Sequence, residues 1–262
     1  MTKRLLLLAV AAAALACAGT KSYVGDPARE VRLNMAGQLA DRGDWKKAFE
    51  VSDALCRENP GDPRVLLVRG AALRHLGMRA EAEADIQRAL SIEPKWASLH
   101  AELGVLYQQE RRPQEAMAEF QRALDLAPDR AEYMNDLAFA LLLAGKPKEA
   151  VPLLQEALKI EPANARIRNN LGFALARLGD FPGAAQQFAL AGTAAAAKNN
   201  LGFAYEQSGN LSQAYEAYLA AVRLDPAAAA PRRNLEHVAA KLGRNIPPDV
   251  AQAPAPATQG GS

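Results

Sequence analysis

The sequence predicts an all-α chain, a superhelical solenoid of six helix-turn-helix repeats followed by a C-terminal capping helix. Three observations lead there. Proline recurs at 60, 94, 128 and 162, and alanine at 48, 82, 116, 150 and 184, each 34 residues after the last. Within one period, 63–94, Leu66, Gly70 and Leu73 share a face of a first helical run, Gly77 breaks it, and Ala82, Ile86 and Ala89 share a face of a second run. Small residues, Gly70 and Ala82, fall where the two helices would cross, with Leu73 and Ile86 filling the space beside them. Such a unit buries its apolar face only against its neighbours, so the period implies a stacked array.

Lys3 and Arg4 precede an apolar run from Leu5 to Ala16 that is too short to span a bilayer, for which about 20 residues are needed. Charge, a short apolar stretch and small residues in that order read as a signal peptide over 1–16. The run ends Ala14-Leu15-Ala16-Cys17, which resembles a bacterial lipobox with Ala14 where leucine is usual. That resemblance implies a lipidated Cys17 at the mature N-terminus. With Ala18 rather than aspartate next, it also implies the outer membrane. The other reading is an ordinary signal peptide cut near Ala16 or Gly19. Residues 17–28 read as the lipidated cysteine and a tether. Without the two leader cations the formal charge falls from +2 to zero, which argues against nucleic acid as a partner. With Cys17 modified, Cys56 has no intramolecular partner and reads as a small buried hydrophobe.

The array is expected over 29–243, with repeats at 29–60, 63–94, 97–128, 131–162, 165–194 and 195–226 and a cap at 229–243. The third repeat carries Arg111 where the others have glycine at the turn, and Pro152 falls early in the second helix of the fourth. The fifth is four residues short, because Ala214 follows Ala184 by 30, so its second helix should be shorter, with a tight turn at Gly192-Thr193. The cap keeps Leu235 but has Glu236 where glycine stood. The Pro- and Ala-rich residues 244–262 read as a disordered tail.

No catalytic or metal-ligating motif stands out. His75, His100 and His237 lack ligand spacing, and Gly145-Lys146-Pro147 lacks the phosphate-loop pattern. The carboxylates mostly sit beside Lys or Arg and read as a solvated, ion-paired surface. No cofactor is implied, and the chain reads as non-enzymatic. One polar pattern stands out. Asn170, Asn200 and Asn234 hold one register of three successive first helices, with Asn169 and Asn199 before two of them. Asn135 and Asp136 hold these places one repeat earlier, and Phe139, Phe173 and Phe203 lie three residues beyond the register. Asparagine is a poor helix former, so its recurrence needs a reason. Its amide both donates and accepts. One reading is a concave groove gripping a peptide backbone; the other is bonding to neighbouring helices or water, or inheritance by duplication.

The 34-residue period, with Leu-Gly, Ala and Pro at fixed places, resembles the tetratricopeptide repeat over nearly the whole mature chain. The asparagine register is similar in kind to the ladder of the O-GlcNAc transferase array. The lipobox-like segment, the ARIRNNLGFALARLGD run from Ala165, the LAGTAAAAKNNLGFAYEQSGN junction and the APRRNLEHV cap resemble the tetratricopeptide lipoproteins of tight-adherence (Flp) pilus assembly. Type IV pilus pilotins are less similar. Membership would imply an outer-membrane scaffold facing the periplasm, holding a protein or peptide partner in its groove. A general envelope adaptor and a soluble secreted or periplasmic binding protein are the alternatives.

Overall fold

The structure is a computed structural model that describes residues 26–251; every regular element among them is a helix. The chain divides into two compact units, one ending at Pro128 and one beginning at Asp129. The first unit holds three hairpins, α1 (Pro27–Asp41) with α2 (Trp45–Glu58), α3 (Pro63–His75) with α4 (Arg79–Ile92), and α5 (Ala97–Gln109) with α6 (Pro113–Leu126). In the second, α7 (Ala131–Leu143) pairs with α8 (Pro147–Ile160), α9 (Ala165–Arg177) with α10 (Phe181–Ala191), and α11 (Ala194–Gln207) with α12 (Leu211–Leu224). Then come α13 (Ala229–Leu242) and the single turn α14 (Pro248–Ala251). Helix α10 has 11 residues where the other five second helices have 14. The expected signal peptide and Cys17 lie outside the described residues.

All six hairpins turn in the same way. The first helix ends in a left-handed residue, and the N–H after that residue reaches back five positions. The bonds are Asp44 to Leu39, Met78 to Leu73, Arg112 to Tyr107, Lys146 to Leu141, Asp180 to Leu175 and Asn210 to Tyr205, each 2.9 or 3.0 Å. Glycine supplies the left-handed residue in five turns, and Arg111 takes it at φ 60°, a conformation that costs a side-chain-bearing residue about 1–2 kcal/mol. Side-chain caps fix several helix starts, among them Asp62 on the Arg64 N–H and Thr193 on the Ala196 N–H.

Within each hairpin a small residue on the first helix lies opposite a larger one on the second. A Cβ added to Gly104 would stand 2.7 Å from the Phe120 ring, one on Gly172 2.5 Å from Phe188, and one on Gly202 2.6 Å from Tyr218. Gly70 meets Ile86 in the same way at 2.9 Å. The remaining repeats put alanine in the glycine's place and a non-aromatic residue opposite, Ala36 with Ser52 and Ala138 with Leu154, all fully buried. The exchange of glycine and ring for Ala138 and Leu154 roughly conserves the volume at the crossing, whereas Ala36 with Ser52 makes a smaller pair. Ala82 and Ala116 on the second helices are also fully buried.

Two expectations are corrected. The tether does not extend to residue 28, because Asp26 caps α1 and Pro27 opens it, where its missing N–H costs nothing. The segment 244–251 is not disordered. Val250 is buried and Ile246 half-buried against Tyr215, Leu219, Val222, Leu235 and Val238, where among the described residues only a single helical turn follows α13. Tyr215 donates to the Asn245 carbonyl at 2.9 Å and Arg232 to that of Val250 at 3.0 Å. A few carboxylates lie inside rather than at the surface: Asp62, Asp85, Glu119 and Asp136 are buried. Each is held by a cation, and Arg69 shows why. It grips Asp85 in its own hairpin with two bonds, at 2.6 and 2.7 Å, and reaches Asp53 of the preceding hairpin at 3.0 Å.

Gly172→Ala gains about 1 kcal/mol of helix propensity but displaces the buried Phe188 ring, at a cost of about 1–3 kcal/mol. A net loss of stability is expected in urea unfolding. Phe188→Leu should then cost less in the Gly172→Ala background than in the wild type; additive losses would show that the two positions do not share a space.

Candidate binding face

The expected site residues fall on the first helices of the second unit. Asn135 and Phe139 stand on α7, Asn169, Asn170 and Phe173 on α9, Asn199, Asn200 and Phe203 on α11, and Asn234 on α13. The asparagines are joined to one another. The Asn200 amide donates to Asn169 at 3.0 Å, the Asn234 amide donates to Asn199 at 3.0 Å, and the amides of Asn170 and Asn135 pair at 2.8 Å. The first asparagine of each dyad therefore serves the following helix, and the second serves the preceding one. Both α9 and α11 carry two asparagines, and α13, the last long helix among the described residues, has Arg233 in the first place.

This is the neighbour-bonding role that the sequence left beside the groove role. It does not exhaust the amides, since each side chain offers two N–H groups and two lone pairs. At the α7 end the rung is reinforced. Arg166 pairs with buried Asp136, and in the orientation that satisfies its surroundings the Asn135 oxygen accepts from Arg166 Nε and Nη2 at 3.1 and 3.2 Å. Arg177 adds a bond from α9 to the Leu142 carbonyl. Burial, and then the Asp136 carboxylate, push the Glu132 carboxyl above its ordinary range.

The phenylalanines differ from one another. Phe139 and Phe173 are half-buried, and Phe203 is 43% exposed. Phe173 sets its edge against Phe188 in the core at 4.9 Å between centroids and against Phe203 at 5.8 Å. The stripe thus leads from the interior of a hairpin to an exposed ring. The four first helices α7, α9, α11 and α13 carry seven Lys or Arg and four Asp or Glu, whereas α8, α10 and α12 are balanced. Sequence reasoning missed this cationic surplus, which is visible only once first and second helices are counted apart. Glu206 on α11 accepts from Tyr218 and Lys241, both at 3.0 Å, and lies 3.5 Å from His237 Nε2. A separate depression of about 420 Å³, between α11, α12 and Arg244, includes none of the expected site residues. On α2, burial pushes the Cys56 thiol up, away from thiolate chemistry.

Family models of the tetratricopeptide repeat match residues 63–95, 96–163, 141–195 and 195–228. Among solved structures, PilW, a type IV pilus biogenesis factor, is similar over 80% of this chain and 100% of its own, with a TM-score of 0.68 and 20% identity. PilF of Pseudomonas aeruginosa covers 82% of this chain and 97% of its own, at 0.65 and 16%. YrrB, described as a tetratricopeptide protein with an unusual peptide-binding site, covers 72% and 100%, at 0.56 and 24%. At these identities the likeness is one of fold. No curated protein is significantly similar in sequence.

If the dyads tie the first helices together, Asn169→Ala and Asn200→Ala should each cost about 0.5–1.5 kcal/mol. The double variant should then cost less than the sum, because both changes remove one bond. A double-mutant cycle in urea checks this, and strict additivity would separate the two residues.

Proposed function

We propose that this chain, which belongs to the tetratricopeptide-repeat family, is a non-enzymatic adaptor that holds a segment of a partner protein against α7, α9, α11 and α13. The observation that carries this reading is the exposed Phe203 ring, which ends an aromatic stripe beside amides that retain free donors and acceptors. An apolar ring amid hydrogen-bonding groups suits a ligand with apolar side chains on an extended or helical backbone. The cationic surplus of the first helices favours a segment carrying acidic residues as well.

The reading extends to place and purpose. Cys17, at the end of the apolar leader, is proposed as a lipid anchor, and the scaffold as one held at the periplasmic face of the outer membrane. Assembly of a pilus or secretion complex is the proposed task. It is supported by the lipobox-like segment together with the fold shared with PilW and PilF.

Phe203→Ser should leave the helical circular dichroism unchanged and weaken capture of pilus or secretion subunits from solubilised membranes by roughly tenfold, equivalent to about 1.4 kcal/mol. Equal capture by variant and wild type would move the binding surface elsewhere. Cys17→Ala should abolish palmitate labelling and release the protein from the membrane fraction; labelling that persists would remove the anchor from the account.

A further inference from the structure

The fourth residue of three first helices makes one recurring clasp. In α9, Arg168 donates to the Pro162 carbonyl, six residues upstream, at 2.6 and 3.0 Å, and its other arm donates to Gln187 on α10 at 3.1 Å. In α13, Arg232 donates to the Pro226 carbonyl, again six upstream, at 3.2 Å, and to the Val250 carbonyl at 3.0 Å. The clasp pins the incoming chain to the start of the first helix and ties that helix to whatever lies opposite it.

In α5 the same place holds His100. Its Nε2 lies 3.0 Å from the Pro94 carbonyl, six residues upstream, and its Nδ1 lies 2.6 Å from Glu119 Oε2 on α6. Histidine and its carboxylate are both buried. Each ring nitrogen faces an acceptor, and only the doubly protonated ring has an N–H for both. Where the other two repeats use a permanent cation, this one uses a cation that can be discharged.

We propose that the His100 clasp is a proton-dependent latch on the third hairpin, closed when the imidazole is charged and half-opened when it is neutral. Loss of one proton leaves a nitrogen lone pair facing either the Glu119 carboxylate or the Pro94 carbonyl. One bond is then lost and two acceptors face each other in a site with little water. The groups that face the ring are the Glu119 carboxylate and, behind it, the Arg122 guanidinium, both on α6, and the Pro94 carbonyl from the turn that follows α4. The bond to Glu119 outweighs burial and holds the ring's pKa above its ordinary value. Because the folded value is raised, the clasp's contribution is fully present below the unfolded value of about 6.5. It is lost as pH rises through the folded value.

The test is an NMR titration of the His100 ring in the full chain, with urea unfolding of wild type, His100→Arg and His100→Gln from mildly acidic to mildly alkaline pH. The expected result is a His100 titration shifted upward, and a wild type that loses stability relative to His100→Arg as pH rises. His100→Arg should keep its clasp throughout, as Arg168 and Arg232 do, and His100→Gln should be weaker than wild type at low pH only. A ring that titrates at or below the ordinary histidine value would overturn the proposal even if neither variant folds. A wild-type difference from His100→Arg that is constant across the pH range would also overturn it.

Discussion

The structure depends on how closely two helices of one hairpin can cross. A helix in a tandem array has to bury a face against its partner and another against the next repeat, within only 34 residues of chain. Glycine on the first helix lets a whole aromatic ring from the second lie over the backbone, as Phe120 does over Gly104 and Tyr218 over Gly202. These rings are the largest of the fully buried side chains among the described residues. Where the glycine becomes alanine, as at Ala138, the ring shrinks to Leu154, so the crossing is kept by a compensating change of volume. The common turn, with its left-handed residue and its bond back over five positions, sets the two helices in register for this contact.

Once the crossing is fixed, the remaining faces acquire fixed neighbours. In the second unit successive first helices bring their asparagine registers within hydrogen-bond reach, and the dyads join them rung by rung. Those bonds help explain why a poor helix former recurs there. The same register presents phenylalanines three residues on, of which the ring on α11 remains exposed. Among the described residues only one helical turn follows α13, and Glu236 stands where the crossing glycine would be, so a helix with a large residue opposite would not fit. The chain instead lays Ile246 and Val250 into the apolar slot.

Much of this was legible in the sequence. The period, the turns, the crossing glycines and the short fifth repeat are local or evenly spaced, and spacing alone exposes them. The asparagine register was legible too, but its rungs were not, because an amide at residue 170 gives no sign that it meets residue 135 rather than a ligand. The buried carboxylates escaped for a similar reason. Asp85 lies sixteen residues from Arg69, beyond the reach of any pairing rule for one helix. The segment 244–251 is short, and two prolines sit side by side in it. Its order comes from the slot that α12 and α13 leave open, a tertiary effect with little local signature.

The complementarity at the crossing is tested most directly by exchanging one solution for another. Leu154→Phe alone places a ring over Ala138 and should cost about 1–3 kcal/mol in urea unfolding. Ala138→Gly with Leu154→Phe recreates the glycine-and-ring pair of the third and fifth repeats. The double variant should regain most of that loss, less about 1 kcal/mol for glycine in a helix. A double variant that unfolds as readily as the sum of its two single changes would contradict the account.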